Sequence, residues 1–234
     1  MSSIEFQRRI DDAVDLLRAA EATGSAVFST SLGMEDQVVT DLIARKAAGI
    51  AIFTLDTGRL PPETYEVLAA TEALYRRRIE VFFPDAEAVE HYVRINGVNG
   101  FLRSVTQRKA CCEVRKTASL RRALSGRSAW VTGLRRAQSV TRAELGARSY
   151  DADFAIEKFN PLIDWSDKDV ERYASEHALP LNPLHARGYP SIGCAPCTRA
   201  VAPGEGIRAG RWWWESDDSR ECGLHRPATV SSTS

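Results

Sequence analysis

Ala26-Val27-Phe28-Ser29-Thr30-Ser31-Leu32-Gly33-Met34 opens with a β-type apolar run, passes through a hydroxyl-rich loop closed by glycine, and hands over to apolar positions at Met34, Val38 and Leu42. A strand, a polar turn and a helix in that order are half of a crossover unit. The pattern recurs along the chain. Ile50 to Leu55 precedes Tyr65, Leu68 and Ala69; Ile79 to Phe83 precedes His91 and Ile95; Ala129 to Thr132 is a fourth short run. This alternation predicts an α/β fold, a parallel sheet with helices on both faces. Upstream, Ser2 and Glu5 have capping-box spacing, and Phe6, Ile10, Val14 and Leu17 recur at helical period, so an amphipathic helix opens the chain.

Ligands of such sheets bind at the carboxyl ends of the strands. Three loops fall there: Ser29 to Gly33, Asp56-Thr57-Gly58-Arg59, and Gly133-Leu134-Arg135-Arg136. They offer hydroxyls, backbone N–H groups and guanidinium groups, and the helix starting near Met34 adds its N-terminal dipole. Each alone reads equally well as a turn; together they predict a nucleotide-like pocket on one sheet edge. The formal net charge is zero, yet between Arg103 and Arg142 eleven Lys and Arg face one acid, Glu113. A solvated basic face explains such a run, and so does an anionic ligand. No aromatic-interleaved or zinc-finger pattern accompanies it, so a small phosphorylated or sulfated ligand is expected rather than nucleic acid.

The 234 residues are read as one α/β domain with the pocket and metal site over 1–200, followed by a mobile C-terminal arm over 201–234. Ser166 to Glu176 reads as a Ser-capped helix, after which Pro180, Pro183, Gly188, Pro190 and Gly193 break regular structure. With 26% charged residues and no apolar run of about 18, no membrane span is expected. The N-terminus lacks a secretory apolar segment, which points to the reducing cytoplasm and to cysteines that are thiols or ligands.

The five cysteines are an adjacent pair, Cys111-Cys112, a C-x-x-C at Cys194 and Cys197, and Cys222 alone. An all-sulfur set of four selects zinc or an iron–sulfur cluster. The C-x-x-C by itself also reads as a redox dithiol or a turn. Adjacent cysteines make a poor pair of tetrahedral corners for one zinc ion, whereas a cluster gives each sulfur its own iron. That ranks a cluster first, zinc second and a vicinal disulfide last, and leaves Cys222 as the natural nucleophile. Tryptophans 212 to 214 read as packing that anchors a loop, and His91, His177 and His185 as structural.

Lys109-Ala-Cys-Cys-Glu-Val-Arg-Lys116, Leu181-Asn-Pro-Leu-His-Ala-Arg-Gly-Tyr-Pro-Ser-Ile-Gly-Cys-Ala-Pro-Cys-Thr198, and Arg208-Ala-Gly-Arg-Trp-Trp-Trp-Glu215 ahead of Glu221-Cys-Gly-Leu-His225 resemble the assimilatory adenylylsulfate reductases, the iron–sulfur branch of the PAPS/APS reductase family. The resemblance runs from Ser29 to His225. It implies an adenine-nucleotide α-hydrolase-like sheet, a 4Fe-4S cluster, and thioredoxin-dependent reduction of adenosine 5′-phosphosulfate (APS) to sulfite and AMP in sulfate assimilation and cysteine biosynthesis. The 3′-phosphorylated substrate (PAPS) is handled by relatives that lack the four cluster cysteines.

By matching motif, Cys111, Cys112, Cys194 and Cys197 would be cluster ligands and Cys222 the nucleophile, with His225 beside it. Ser29, Ser31, Leu55, Gly133 and Arg142 would line the nucleotide site; Lys116, Arg208, Arg211 and His225 would meet the phosphosulfate. The loop arginines Arg135 and Arg136 are further candidates for the anion. Lys116, about one helical turn past Cys112, is expected between cluster and substrate. Gly206 departs from the family's Gly-Glu-Asp before the Arg-Ala-Gly-Arg run. A homo-oligomer is expected. The competing readings are a PAPS reductase, a zinc-organised nucleotide-binding module without turnover, and a nucleic-acid thiolation enzyme, which the missing Ser-Gly-Gly phosphate loop disfavours.

Overall fold

The structure, a computed structural model, describes residues 2–138 and 145–216. Helix α1 (Ser3–Glu21) precedes strand β1 (Ala26–Thr30), and the alternation continues through α2 (Met34–Lys46), β2 (Ala51–Leu55), α3 (Pro62–Tyr75) and β3 (Glu80–Phe82). Helix α4 (Ala86–Asn96) and a long broken helix follow: α5 (Val105–Cys112), a π-helical turn (Glu113–Thr117) and α6 (Ala118–Leu124). The chain then gives β4 (Ala129–Val131), β5 (Arg148–Asp151), β6 (Ile156–Phe159) and α7 (Asp167–Glu176). Ser2 Oγ accepts from the Glu5 N–H at the start of α1, and Ser166 with Asp169 forms a full capping box on α7. Such a cap contributes about 1 kcal/mol.

The six strands lie in the order β3-β2-β1-β4-β6-β5. All neighbours pair in parallel except β5 and β6, which form an antiparallel hairpin at the edge. The expected parallel sheet is present, with one antiparallel pair at its edge. Successive side chains on a strand point to opposite faces, so Phe28 joins a core with Leu17, Leu42, Phe159 and Tyr173, while Val27, Phe53 and Trp130 meet Leu120 and Leu124 of α6 on the other face. Asp41, wholly buried on α2, accepts the hydroxyls of Tyr75 and Tyr173 at 2.8 Å and Arg45 Nε at 2.8 Å, drawing α2, α3 and α7 together. Burial, and then the Asp41 carboxylate, push both phenols well above their ordinary range.

The compact body does not stop at residue 200. Thr198 bridges to Arg211, Trp212 N–H donates to the Cys197 carbonyl at 3.1 Å, and Trp212 is 1% exposed. Within the stretch expected in the mobile arm, Gly210 to Trp212 and Glu215 are thus packed on the domain while 202–207 are exposed; the arm beyond residue 216 lies outside the described residues.

Candidate active site

Strand order reverses direction between β1 and β4, so their following loops diverge and leave a crevice at the carboxyl end of the sheet. A cavity of about 260 Å³ opens there, lined by Ser29, Ser31, Leu55, Gly133, Lys116, Arg208 and Arg211, seven of the expected substrate residues. The loop after β1 is held from inside the protein. Asp36 Oδ2 accepts both the backbone N–H and the hydroxyl of Ser31 at 2.6 Å. Trp130 Nε1 donates to Ser29 Oγ at 2.8 Å, and Lys158, paired with Asp151 at 3.0 Å, lies 4.3 Å over the Trp130 ring. The edge hairpin therefore supports a hydroxyl in the pocket.

Two glycines are required by close approach. A Cβ on Gly133 would stand 2.1 Å from Asp36 Oδ1, and one on Gly193 would stand 2.2 Å from the Arg211 guanidinium. Arg211 is nearly buried and donates to the Ile192 carbonyl at 3.2 Å, with Ser191 Oγ at 3.4 Å. With Arg208 and Lys116 it brings three basic side chains to the cavity wall.

Beside this cavity lies a second, smaller pocket lined by Cys111, Cys112, Cys194 and Cys197 together with Arg59, Arg108, Arg115 and Lys116. The broken helix delivers the adjacent pair. A short 3-10 turn from Ala195 to Cys197, anchored by Ala195 N–H on the Arg59 carbonyl at 2.8 Å, delivers the other two. No disulfide joins any of the four. Thr57 Oγ1 lies 3.2 Å from Cys194 Sγ while accepting the Arg59 N–H, and Arg115 donates to the Thr57 carbonyl at 2.7 Å. Burial pushes the Cys197 thiol up to about 12, aided by Cys194 and opposed by Lys116 and Arg211; burial likewise raises Cys111.

The donor set fits an iron–sulfur cluster. Four cysteines share one pocket with Arg59, Arg108, Arg115 and Lys116, an all-sulfur donor set of the kind that takes zinc or an iron–sulfur cluster. The adjacent pair Cys111-Cys112 suits a group with separate iron corners better than one zinc ion.

Lys116, expected between cluster and substrate, lines both pockets. Arg135 and Arg136 do not line the cavity. Arg135 is 3% exposed and bonded to Glu35, Asp167 and the Trp165 carbonyl; Arg136 pairs with Asp164 and donates to the Leu145 carbonyl. They brace loops instead of meeting an anion, a correction to the sequence reading. Cys222, His225 and Arg142 lie outside the described residues.

Asp36, Trp130 and Gln138 were not singled out by sequence and belong to the cavity wall. His185, read as structural, has Nδ1 2.9 Å from the Tyr189 carbonyl and also lines the cavity. Near Thr57, Asp56 accepts the Tyr65 hydroxyl at 3.0 Å; burial first, then this bond, push that phenol up to about 12. The tryptophan run divides its labour: Trp212 is buried, Trp214 packs on Phe101 at 5.9 Å, and Trp213 is half exposed.

Residues 25–200 match the phosphoadenosine phosphosulfate reductase domain. An adenosine 5′-phosphosulfate reductase of Allochromatium vinosum is 56% identical over 215 residues, spanning 92% of this chain and 84% of that protein. One of Burkholderia cepacia is 51% identical over 210 residues, 90% of this chain and 84% of that protein. Among solved structures, a phosphoadenylyl-sulfate reductase of Candida auris in a phosphate complex superposes with a TM-score of 0.68 at 24% identity, over 86% of this chain and 98% of that one. An FMN adenylyltransferase of Candida glabrata, bound to FMN and an ATP analogue, gives 0.56 at 15% identity over 95% of this chain and 80% of that one. These two speak to the fold alone.

Proposed function

Because the chain belongs to the phosphoadenosine phosphosulfate reductase family, we propose that it is an oxidoreductase reducing adenosine 5′-phosphosulfate to sulfite and AMP in assimilatory sulfate reduction. The observation that carries this reading is the shared wall between the two pockets. Lys116 belongs at once to a cavity sized for a nucleotide and to a pocket lined by four cysteines. The cavity's nucleoside end is framed by Ser29, Ser31, Leu55 and Gly133, and its cationic end by Lys116, Arg208 and Arg211, which suits a mixed phosphate–sulfate anhydride.

Cys111, Cys112, Cys194 and Cys197 would hold the 4Fe-4S cluster, which when bound supplies a compact charged group beside Lys116. The residues of the chain carry the rest. Cys222 as thiolate attacks the terminal sulfur, the sulfur–oxygen bond to the phosphate breaks, AMP departs, and the sulfonate stays on Cys222. His225, three residues on, favours the thiolate. A thioredoxin thiolate then attacks Cys222 Sγ and expels sulfite; the second thioredoxin thiol resolves the mixed disulfide, so the two electrons come from that dithiol. Arg208, Arg211 and Lys116 neutralise the anhydride, and Arg142 assists at the nucleotide. The same reading makes the enzyme cytoplasmic and homo-oligomeric. No helix among the described residues is long and apolar enough to cross a membrane.

The test is the intact mass of anaerobic protein after incubation with adenosine 5′-phosphosulfate and no reductant. A sulfonate adduct on Cys222 that thioredoxin removes is the expected result, and Cys222→Ser abolishes it while keeping iron and AMP binding. No adduct on folded, iron-loaded protein overturns the substrate assignment; the 3′-phosphorylated nucleotide is then the next one tried. Zinc without iron would instead favour a nucleotide-binding module.

A further inference from the structure

Arg108 stands on α5 three residues before Cys111, and Glu215 closes the turn that follows Arg208 and Arg211. They are 107 positions apart in the chain and meet as a fork: Nε to Oε1 at 3.0 Å and Nη2 to Oε2 at 2.7 Å. Their side chains are 0% and 3% exposed. Neither charge tolerates separation at that depth, so the two segments dock as a unit and in one register.

What the pair holds is the indole between the two pockets. Arg108 lies 4.5 Å over the Trp212 ring, and Arg211 and Arg208 approach the same ring at 4.7 and 5.8 Å. Arg108 lines the cysteine pocket, whereas Arg208, Arg211 and Trp212 line the nucleotide cavity. Three guanidinium groups around one ring repel each other, and the Glu215 carboxylate offsets the one on the cysteine side. The turn is also held against its own preference. Trp212 has φ of 45°, a left-handed conformation that a bulky residue keeps only when its surroundings impose it. Glu215 N–H on the Trp212 carbonyl at 2.8 Å, Trp212 N–H on the Cys197 carbonyl and the Arg108–Glu215 fork are those constraints.

We propose that the buried Arg108–Glu215 pair is a positioning clamp that fixes Arg208 and Arg211 on the sulfate-bearing end of the substrate by pinning their turn to the cysteine-bearing helix. The inference rests on the substrate reading above. It makes Arg108 and Glu215 positioning residues, acting through the two arginines without touching the ligand. It also gives the cysteine pocket a mechanical route to substrate recognition, because α5 is the anchor for both.

The test uses full-length, iron-loaded protein carrying Cys222→Ser, so that adenosine 5′-phosphosulfate binds without reacting. Affinities for that nucleotide and for AMP are measured with and without Glu215→Gln, alongside iron content and cluster absorbance. The clamp predicts unchanged iron and AMP affinity and roughly tenfold weaker binding of the sulfated nucleotide, the scale of about one misplaced charge-assisted hydrogen bond. An unchanged ratio of the two affinities overturns it, as does equal weakening of both. If Glu215→Gln fails to fold or loses iron, Glu215→Asp is read on the same ratio, with a smaller shift in the same direction supporting the clamp and no shift overturning it. If the parent protein itself does not prefer the sulfated nucleotide to AMP, it is the substrate reading that fails, and the two failures are told apart.

Discussion

Replacing Gly133 with Ala tests whether the nucleotide pocket depends on the contact between the loop after β4 and the first turn of α2. The added Cβ would lie 2.1 Å from Asp36 Oδ1, more than an ångström inside contact distance. Asp36 has a short side chain already committed to Ser31, whose N–H and hydroxyl it accepts at 2.6 Å, so relief of the clash means rotating the carboxylate off that loop. Hydrogen bonds to a charged group contribute about 1.5–3 kcal/mol each. Partial recovery with water leaves a net loss of about 2–4 kcal/mol, roughly thirty- to several-hundred-fold in affinity. The assay is AMP binding by calorimetry on iron-loaded protein, repeated for Asp36→Ala and for the double variant. Because both single changes release the same loop, their effects should be strongly non-additive. AMP affinity within twofold of the parent, or losses that simply add, would refute the argument.

Other outcomes follow from the same geometry. Lys116→Met removes the cation shared by the two pockets and should lower kcat/KM by about ten- to a hundredfold, with Lys116→Arg retaining more; steady-state kinetics with unchanged iron content decide it. In iron-free protein, the raised Cys197 and Cys111 thiols keep protons that the unfolded chain releases. For Cys197 that stabilisation is whole below the ordinary thiol value of 9.0 and is lost as pH climbs toward about 12, with Cys111 adding in the same direction, so melting temperature should fall across that window and Cys197→Ala should flatten the fall. Asp41→Ala strands two tyrosine hydroxyls in the core and should cost about 3 kcal/mol, roughly 6–12 °C in Tm for a chain of this size, with AMP affinity intact. A melting temperature within 2 °C of the parent, an order-of-magnitude margin, would contradict that account.

Strands β1, β2 and β4 were legible because they are central and buried, so their residues form short apolar runs with polar loops behind them. The edge hairpin was not. β5 reads Arg-Ser-Tyr-Asp, and β6 carries Glu157 and Lys158 between its apolar ends. Lys158 is 4% exposed, a charge that looks like a loop residue until Asp151 and the face of Trp130 supply its partners. The pocket shows the same division. Ser29, Ser31 and Gly133 could be placed because strand ends are readable, whereas Asp36 and Trp130 take their meaning from contacts to other elements. Reading Arg135 from its strand-end loop missed its carboxylate partners, because Glu35 and Asp167 lie 100 and 32 positions away. Trp212 and Trp214 pack as the run suggested while Trp213 stays half exposed, and the seating of their turn depends on Glu215 finding Arg108.

The π-helical turn at Glu113–Thr117 acts as a phase adjuster. One residue inserted into an α-helix turns everything beyond it by about 100°. The rod made by α5 and α6 can therefore be keyed to two partners that no single straight helix would satisfy: upstream it turns Arg108, Cys111 and Cys112 toward the cysteine pocket, and downstream it seats Leu120, Ala123 and Leu124 against the sheet. Length along this rod is thus less forgiving than composition. A change of side chain within the turn leaves both halves in step, while the loss of one residue there would keep one partner only by rotating the other out of reach.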